Sequence, residues 1–145
     1  MIFVTVGTSR VGFNSLIRQV DNLKINEDII CQIGNGKYIP KNCKWFKFES
    51  SLINYFKKAR LIITHDGAGT LFELLKLGKK VIVIQNPDVI SNPDLALKLS
   101  QEKYVIWCKN INDLSSSVIN SKNFKYSKYQ SPKCEINLNI EGFLK

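Results

Sequence analysis

The sequence is poor in the residue types that build metal centres and disulfide frameworks. Its 145 residues include one histidine and four cysteines, and no two of the cysteines form a C-x-x-C pair. One histidine cannot complete a zinc site. Since Cys31 and Cys108 lie in apolar, strand-like runs, we expect reduced and partly buried thiols, and we predict no metal in the function.

Long hydrophobic runs and the common nucleotide motifs are also absent. No apolar segment approaches the length that spans a bilayer. The first predicted strand begins at Ile2, which leaves no room for a signal peptide, so we expect a cytosolic chain. A P-loop is missing, and a dinucleotide redox site is not expected, because Gly67-Ala68-Gly69 is followed by Phe72 at the third position of the G-x-G-x-x-G pattern.

Acidic residues are few: 12 Asp and Glu oppose 21 Lys and Arg, for a net charge of +9. This balance favours a polyanion, an anionic membrane surface or a negatively charged substrate. The Lys- and aromatic-rich stretch 122–133 is either a solvated connection or a contact for a membrane or a partner. We do not expect nucleic-acid binding, because only the net charge supports it and no RNA- or DNA-binding motif is present.

Six short apolar runs alternate with helical patterns, which predicts an α/β fold with a Rossmann-like, doubly wound, mostly parallel six-stranded sheet. About ten residues join the second and third strands, which is short for a parallel crossover. Either that crossover lacks a helix or the third strand is misplaced. The predicted strands are 2–6, 28–33, 44–48, 61–64, 81–84 and 104–107. The predicted helices are 13–23, 51–56, 71–77, 93–100 and 112–121.

The predicted organisation is one nucleotide-binding domain over residues 1–121, followed by a basic connection and a C-terminal helix over 122–145. One face of that last helix is apolar and either contacts a partner or packs back on its own domain. The residues of this face are Ile136, Ile140, Phe143 and Leu144.

A strand order of 3-2-1-4-5-6 would make the first and fourth strands neighbours at the topological switch point, where ligands bind. The loops that follow these strands, 7–12 and 65–70, would then meet. The second loop is rich in glycine and joins a strand end to a helix start. Such a turn aims free backbone N–H groups and a helix dipole at one point, which suits a phosphate.

Two side chains in this loop have alternative interpretations. His65 is either a structural residue or a phosphate contact. Thr70 and Glu73 fit the T-x-x-E pattern of a capping box, in which each side chain satisfies a backbone N–H at the helix start. Glu73 is therefore either part of a cap or available for a ligand.

The run His65-x-Gly67-x-Gly69-Thr70-x-x-Glu73 resembles the donor-site signature of GT-B glycosyltransferases, and within them the C-terminal domain of glycosyltransferase family 28. The likeness covers roughly residues 1–110. The likeness also includes two further segments, 3–8 (Phe-Val-Thr-Val-Gly-Thr) and 32–40 (Gln-Ile-Gly-Asn-Gly-x-Tyr-x-Pro). In this family the chain is most similar to the soluble donor-binding subunit of two-chain UDP-sugar transferases. These include the UDP-GlcNAc transferase of dolichol-linked oligosaccharide synthesis and bacterial capsule and exopolysaccharide relatives.

The resemblance implies a role for each part of the site. The donor diphosphate would be bound by His65, Gly67, Ala68, Gly69 and Thr70. The ribose would be bound by Glu73, and the uracil would lie near Phe48, Glu49 and Ser50. The cleft would be lined by Gly7, Thr8, Gly34 and Asn35. The donor sugar would contact Asn86, Asn92 and Asp94.

The same resemblance implies the reaction and its partners. The chain would be the catalytic, donor-binding subunit of an inverting transferase that needs no metal or cofactor, with His65 as its candidate catalytic residue and the general base on the partner. That partner would be a membrane-anchored, acceptor-binding subunit holding a polyprenyl- or dolichyl-diphosphate-linked acceptor, and the chain would be inactive without it. An alternative is a non-catalytic, partner-binding module of a polysaccharide-synthesis complex.

The donor sugar is open at this point. Relatives carry an Asp-Asn-His-Gln-like stretch after the fifth strand, and Ser91-Asn92-Pro93-Asp94 takes its place here. GlcNAc, glucose, galactose and a uronic acid all remain compatible with the sequence.

Overall fold

The structure is a computed structural model that describes residues 1–89 and 93–130. Six strands form one sheet in the order β3-β2-β1-β4-β5-β6, and every pairing is parallel. The predicted class and strand order are confirmed. The strands are β1 (Ile2–Thr5), β2 (Ile29–Gln32), β3 (Lys44–Phe46), β4 (Leu61–Thr64), β5 (Val81–Ile84) and β6 (Ile106–Cys108). The helices are α1 (Asn14–Asp21), α2 (Ile53–Lys58), α3 (Ala68–Lys76), α4 (Asp94–Gln101) and α5 (Leu114–Ser121), with a 3₁₀ turn at Ile111–Asp113.

The central strands are apolar at nearly every position because both faces of the sheet are covered. Alternate residues point to opposite faces, so Val4 and Ile63 pack with α1 and α5, whereas Phe3 and Ile62 pack with α2, α3 and α4. The result is three layers with the sheet in the middle. This arrangement leaves the carboxyl edge of the strands to the loops.

The crossover from β2 to β3 contains no helix, which answers the question raised by its short length. Side chains of α1 satisfy its backbone instead. The Asp21 carboxylate accepts hydrogen bonds from the Tyr38 hydroxyl (2.7 Å) and from the N–H groups of Lys41 (3.0 Å) and Asn42 (2.7 Å). Asn14 Oδ1 accepts from the backbone N–H of Tyr38 at 3.0 Å. A loop whose polar groups are paired in this way can lie against the core without secondary structure.

Several predicted strand ends are wrong by one or two residues. β1 stops at Thr5 because the N–H of Val6 donates to the side chain of Gln32. β3 stops at Phe46, so Lys47 and Phe48 leave the ladder. β6 begins at Ile106, because Lys103 takes a φ of 62° and the chain is still turning out of α4 there.

Gly78 and Asp113 lie at two helix ends that the sequence predicts. Gly78 ends α3 with φ 71°, and the N–H groups of Gly78 and Lys79 donate to the carbonyls of Leu75 and Leu74, as in a Schellman motif. The sequence also predicts Asn112 or Asp113 as the cap of the last helix. Asp113 is the N-cap residue of α5, but its side chain makes no capping hydrogen bond. Asn110 accepts from the N–H of Asn112 at 2.9 Å and caps the 3₁₀ turn that precedes α5.

Residues 122–130 lie against the domain. Ser127 N–H donates to the carbonyl of Lys103 (2.8 Å), and the Tyr129 ring contacts those of Phe72 and Tyr104. No helix in the described ranges is long and apolar enough to cross a bilayer. Cys31 and Cys108 are buried free thiols, as predicted. Cys134 and the predicted apolar face of the last helix lie outside the described residues.

Candidate functional site

The loops after β1 and β4 meet at the carboxyl edge of the sheet, as the strand order predicts. The imidazole of His65 lies between glycines of these two loops. A Cβ built on Gly7 would stand 2.7 Å from His65 Cε1, and one built on Gly67 would stand 2.5 Å from His65 Nε2. Both glycines are therefore required for the ring to occupy this place, and Gly7 also has a φ of 74°.

Burial lowers the pKa of His65, and the opposing effect of the nearby Asp66 carboxylate does not cancel it. The ring is therefore neutral at pH 7, with one nitrogen able to donate and the other able to accept. Thr64 Oγ1 lies 3.4 Å from Nδ1, at the outer limit of a hydrogen bond. The ring is set between two loops and is already partly shielded from water.

The α3 helix begins directly beside this histidine. Gly67 is its N-cap, and no side chain caps the helix start. The first N–H with an intrahelical partner is that of Leu71, which donates to the carbonyl of Gly67 at 3.0 Å. The N–H groups of Ala68, Gly69 and Thr70 therefore have no partner within the helix, and they form the positive end of its dipole.

The capping box proposed for Thr70 and Glu73 is wrong. Thr70 is the third residue of α3 rather than its cap, and Glu73 lies about one turn inside the helix. A capping box needs the Ser or Thr at the N-cap position, which Gly67 occupies here. Glu73 is exposed on the helix surface, so its carboxylate is not used in holding the helix start.

The residues predicted to lie near the uracil follow β3 and lie on the other side of the Gly7 loop. Phe48 is 47% exposed, and the Glu49 carboxylate accepts a hydrogen bond from the Tyr55 hydroxyl at 2.7 Å. A small cleft of about 70 Å³ opens between this segment and the β1 loop. Its lining residues are Gly7, Thr8, Gln32, Phe48, Glu49 and Leu52.

The loop after β2 interlocks with the loop after β1. Asn35 Nδ2 donates to the carbonyl of Ser9 at 3.0 Å. A Cβ on Gly12 would stand 2.4 Å from the backbone nitrogen of Gly36, and one on Gly34 would stand 2.9 Å from the carbonyl oxygen of Gly7. The predicted cleft residues of these two loops are therefore brought together, with glycines at the points of closest approach.

The residues predicted to contact the donor sugar differ in burial and in their position in the fold. Asn86 is 5% exposed; its amide nitrogen donates to the Gly12 carbonyl at 2.7 Å and its oxygen accepts from the N–H of Asp88 at 3.0 Å. This side chain joins the β5 loop to the β1 loop. Asp94 lies in the first turn of α4 and is exposed. Asn92 lies outside the described residues.

Comparison with known proteins agrees with this geometry. Residues 1–135 match the model of the glycosyltransferase family 28 C-terminal domain. The chain belongs to glycosyltransferase family 28. Its sheet is accordingly that of the C-terminal half of a GT-B glycosyltransferase, as the sequence predicted.

Relatives of the family 28 chain include UDP-N-acetylglucosamine transferase subunits. It is 31% identical over 125 residues to the ALG13 subunit of Homo sapiens, a match that covers 74% of the chain and 11% of the relative. It is also 31% identical over 153 aligned positions to the ALG13 subunit of Candida albicans. That match covers 97% of the chain and 51% of the relative. The chain therefore spans from about a tenth to about half the length of these curated relatives.

A solved structure shows the same fold. The NMR solution structure of ALG13 superimposes with a TM-score of 0.63 at 19% identity, and the match covers 94% of each chain. At this identity the likeness concerns the fold alone.

One buried side chain of the family 28 site was not predicted. Gln32 ends β2 and makes four hydrogen bonds beneath the cleft. The sequence feature that could have indicated it is a polar residue directly after the apolar run Ile29-Ile30-Cys31. That position lies where the carboxyl edge of the sheet meets its loops. In the part of the chain that the structure describes, no cluster of three or more His, Cys, Asp or Glu is placed to hold a metal.

Proposed function

We propose that this chain is the donor-binding, catalytic subunit of an inverting glycosyltransferase that uses a UDP-sugar. The observation that carries the proposal is the uncapped start of α3 beside His65, with Glu73 one turn further along the same helix. Three N–H groups without a partner in the helix, a neutral imidazole beside them and an exposed carboxylate on the same helix match the polarity of a nucleoside diphosphate.

The spacing on α3 supports this reading. At about 1.5 Å per residue, Glu73 lies roughly 4.5 Å along the helix axis from Thr70. A diphosphate at the helix start would therefore place an attached ribose beside the Glu73 carboxylate, which can accept hydrogen bonds from both ribose hydroxyls. The uracil would extend toward Phe48, Glu49 and Ser50.

The helix start also suits the chemistry of transfer. In the proposed reaction, an acceptor hydroxyl attacks the anomeric carbon as its bond to the phosphate oxygen breaks, and UDP leaves with the bonding electrons. The N–H groups of α3 and the Thr70 hydroxyl would stabilise the charge that develops on UDP, without a metal ion. His65 would contact the same phosphates, and the hydroxyl proton would pass to a base on the partner.

UDP-GlcNAc is the donor that we propose, supported by the names of the ALG13 relatives. The partner would be a membrane-anchored subunit that binds a polyprenyl- or dolichyl-diphosphate-linked acceptor. The chain would work on the cytosolic face of that membrane and be inactive alone. Residues 122–145 and the net charge of +9 would favour contact with the partner or with anionic lipid.

The first experiment is a calorimetric titration of the purified chain with UDP and with UDP-GlcNAc, UDP-glucose, UDP-galactose and UDP-glucuronic acid, each with and without EDTA. We expect binding of UDP that EDTA does not change, and the tightest sugar-nucleotide binding for UDP-GlcNAc. Absence of uridine-nucleotide binding, both alone and with a co-expressed membrane partner, would overturn the proposal.

The second experiment separates catalysis from a scaffolding role. Transfer from radiolabelled UDP-GlcNAc to a polyprenyl-diphosphate-linked acceptor is measured in membranes that contain the partner, with wild-type chain and with Glu73→Gln. Transfer that falls with Glu73→Gln supports a catalytic subunit. Partner binding without any transfer that depends on Glu73 would instead support the non-catalytic module.

A further inference from the structure

Gln32 uses its whole hydrogen-bonding capacity beneath the cleft. Its Oε1 accepts from the Thr5 hydroxyl at 2.7 Å and from the Val6 N–H at 3.2 Å. Its Nε2 donates to the carbonyl of Gly7 at 3.2 Å and to that of Lys47 at 2.9 Å. An amide side chain offers two donors and two acceptor lone pairs, and all four are engaged. The side chain is 2% exposed.

The two carbonyls that Gln32 holds belong to different sides of the site. Gly7 is the residue whose Cα faces the His65 ring, so it lies on the diphosphate side. Lys47 precedes Phe48 and therefore lies on the uracil side. The Lys47 carbonyl also accepts from the N–H of Gly34 at 3.1 Å. Two donors therefore hold this carbonyl in place.

We propose that Gln32 is a positioning residue that sets the distance between the diphosphate and uracil parts of the donor site. The proposal rests on the proposed function, because it concerns how UDP is bound. Gln32 acts through Gly7 and Lys47. Each part of the site is built by its own loop, so each keeps its local shape without Gln32. The distance between the two parts changes.

The chemistry of an amide is needed at this position. Leucine at position 32 has similar size but removes the side-chain donor from the Gly7 and Lys47 carbonyls and the acceptor from the Val6 N–H, so that only the Gly34 N–H still holds the Lys47 carbonyl. Glutamate keeps the acceptors but loses both donors and places a negative charge beside two carbonyl oxygens. A buried polar group without a partner is costly, so the loops would shift to find new partners, and their separation would change.

The test compares UDP with its two halves. A ligand that spans two subsites senses their separation, whereas a fragment that fills one subsite does not. Dissociation constants for UDP, uridine and inorganic pyrophosphate are measured by NMR titration on wild type and Gln32→Leu. We expect UDP to bind about tenfold more weakly to the variant, or about 1.4 kcal/mol, with uridine and pyrophosphate changed by less than about twofold.

Gln19→Leu is the matched control. Gln19 also donates from its side chain to a backbone carbonyl, that of Ile111 at 3.2 Å, but this carbonyl belongs to the 3₁₀ turn after β6 and not to the loops that Gln32 joins. We expect this variant to bind all three ligands as wild type does. If Gln32→Leu does not fold, Gln32→Asn takes its place, because it keeps the amide but cannot span Gly7 and Lys47.

The outcomes are distinguishable. Failure of wild type to bind UDP, both alone and with a co-expressed membrane partner, would overturn the proposed function. Wild-type binding that Gln32→Leu and Gln32→Asn leave unchanged would overturn the positioning role alone. Equal weakening of UDP, pyrophosphate and uridine would also overturn it, since it would show local damage rather than altered spacing. His65 is the only histidine, so its ring signals report without ambiguity that the site is folded in each variant.

Discussion

Gly7 and His65 lie in the loops that follow the adjacent strands β1 and β4, and they are so close that the His65 ring occupies the space where a side chain at position 7 would lie. A Cβ on Gly7 would stand 2.7 Å from His65 Cε1, nearer than such atoms approach. The contact joins the loop after β1 to the start of α3. Any substituent on Gly7 must therefore move the imidazole or the loop.

Gly7→Ala should weaken both stability and UDP binding. The φ of 74° is unfavourable for alanine, at a cost of about 1–2 kcal/mol, and the new Cβ displaces His65. Gly78→Ala is the matched control, because Gly78 has a φ of 71° and open space around it. We expect both variants to lose free energy of urea unfolding, with the larger loss for Gly7→Ala because of its contact with His65, and a loss of UDP affinity of about tenfold for Gly7→Ala alone. Equal affinities would contradict the role of this contact.

Glu73→Gln should weaken UDP binding without destabilising the chain. Because Glu73 does not cap α3, its replacement changes the melting temperature little. Loss of a hydrogen bond to a charged acceptor costs about 1.5–3 kcal/mol, which corresponds to roughly tenfold or more in affinity. Glu102→Gln, at the exposed end of α4, serves as control. A melting temperature that falls while affinity is kept would show a structural role instead.

The stability of the chain should depend on His65 between pH 7 and pH 5. The folded-state pKa of His65 lies below its usual value of about 6.5, so the unfolded chain binds the proton more readily. The free energy of unfolding therefore falls as pH falls through this window.

Urea unfolding at pH 5, 6, 7 and 8 checks this dependence against His65→Asn. The variant should show a flatter profile between pH 7 and pH 5, and an NMR titration of the His65 ring should give a midpoint below that of a free histidine. A midpoint above it would show that Asp66, rather than burial, dominates.

Asp21→Asn should destabilise the crossover between β2 and β3. Burial raises the pKa of Asp21, but hydrogen bonds from Lys41, Asn42 and Tyr38 outweigh it, so the net shift is downward. The carboxylate thus stabilises the fold above pH 4, and the effect fades at lower pH. We expect a loss of about 1–3 kcal/mol at pH 7, measured by urea unfolding. Asp28→Asn removes the same charge from an exposed position and should cost under about 0.5 kcal/mol.

Much of the fold could be predicted because its signals are local. The apolar runs at 61–64 and 81–84 match β4 and β5, since parallel strands buried on both faces are apolar at nearly every position. Gly78 could be read as a helix end because only glycine readily takes that backbone conformation. Strand order then followed from the general rules for doubly wound sheets.

The helix starts were predicted less well. A T-x-x-E pattern is compatible with two registers, and Thr70 competes with Gly67 for the N-cap position. The structure places the cap at Gly67, because the tight packing of this glycine against His65 ends the strand-to-helix turn three residues earlier. That choice depends on a neighbouring loop, and the local pattern contains no information about it.

The sequence by itself determined the class of the domain, the glycine-rich turn and the family signature that names its residues, because these depend on residue type and spacing along the chain. The tertiary structure decided that Gly7 and Gly67 enclose His65, that Glu73 is not used as a cap, and that Gln32 joins the two sides of the cleft. The contacts of Gly7 with His65 and of Gln32 with Gly7 and Lys47 join residues far apart in the chain, and only the packing of β1 between β2 and β4 brings them within contact distance.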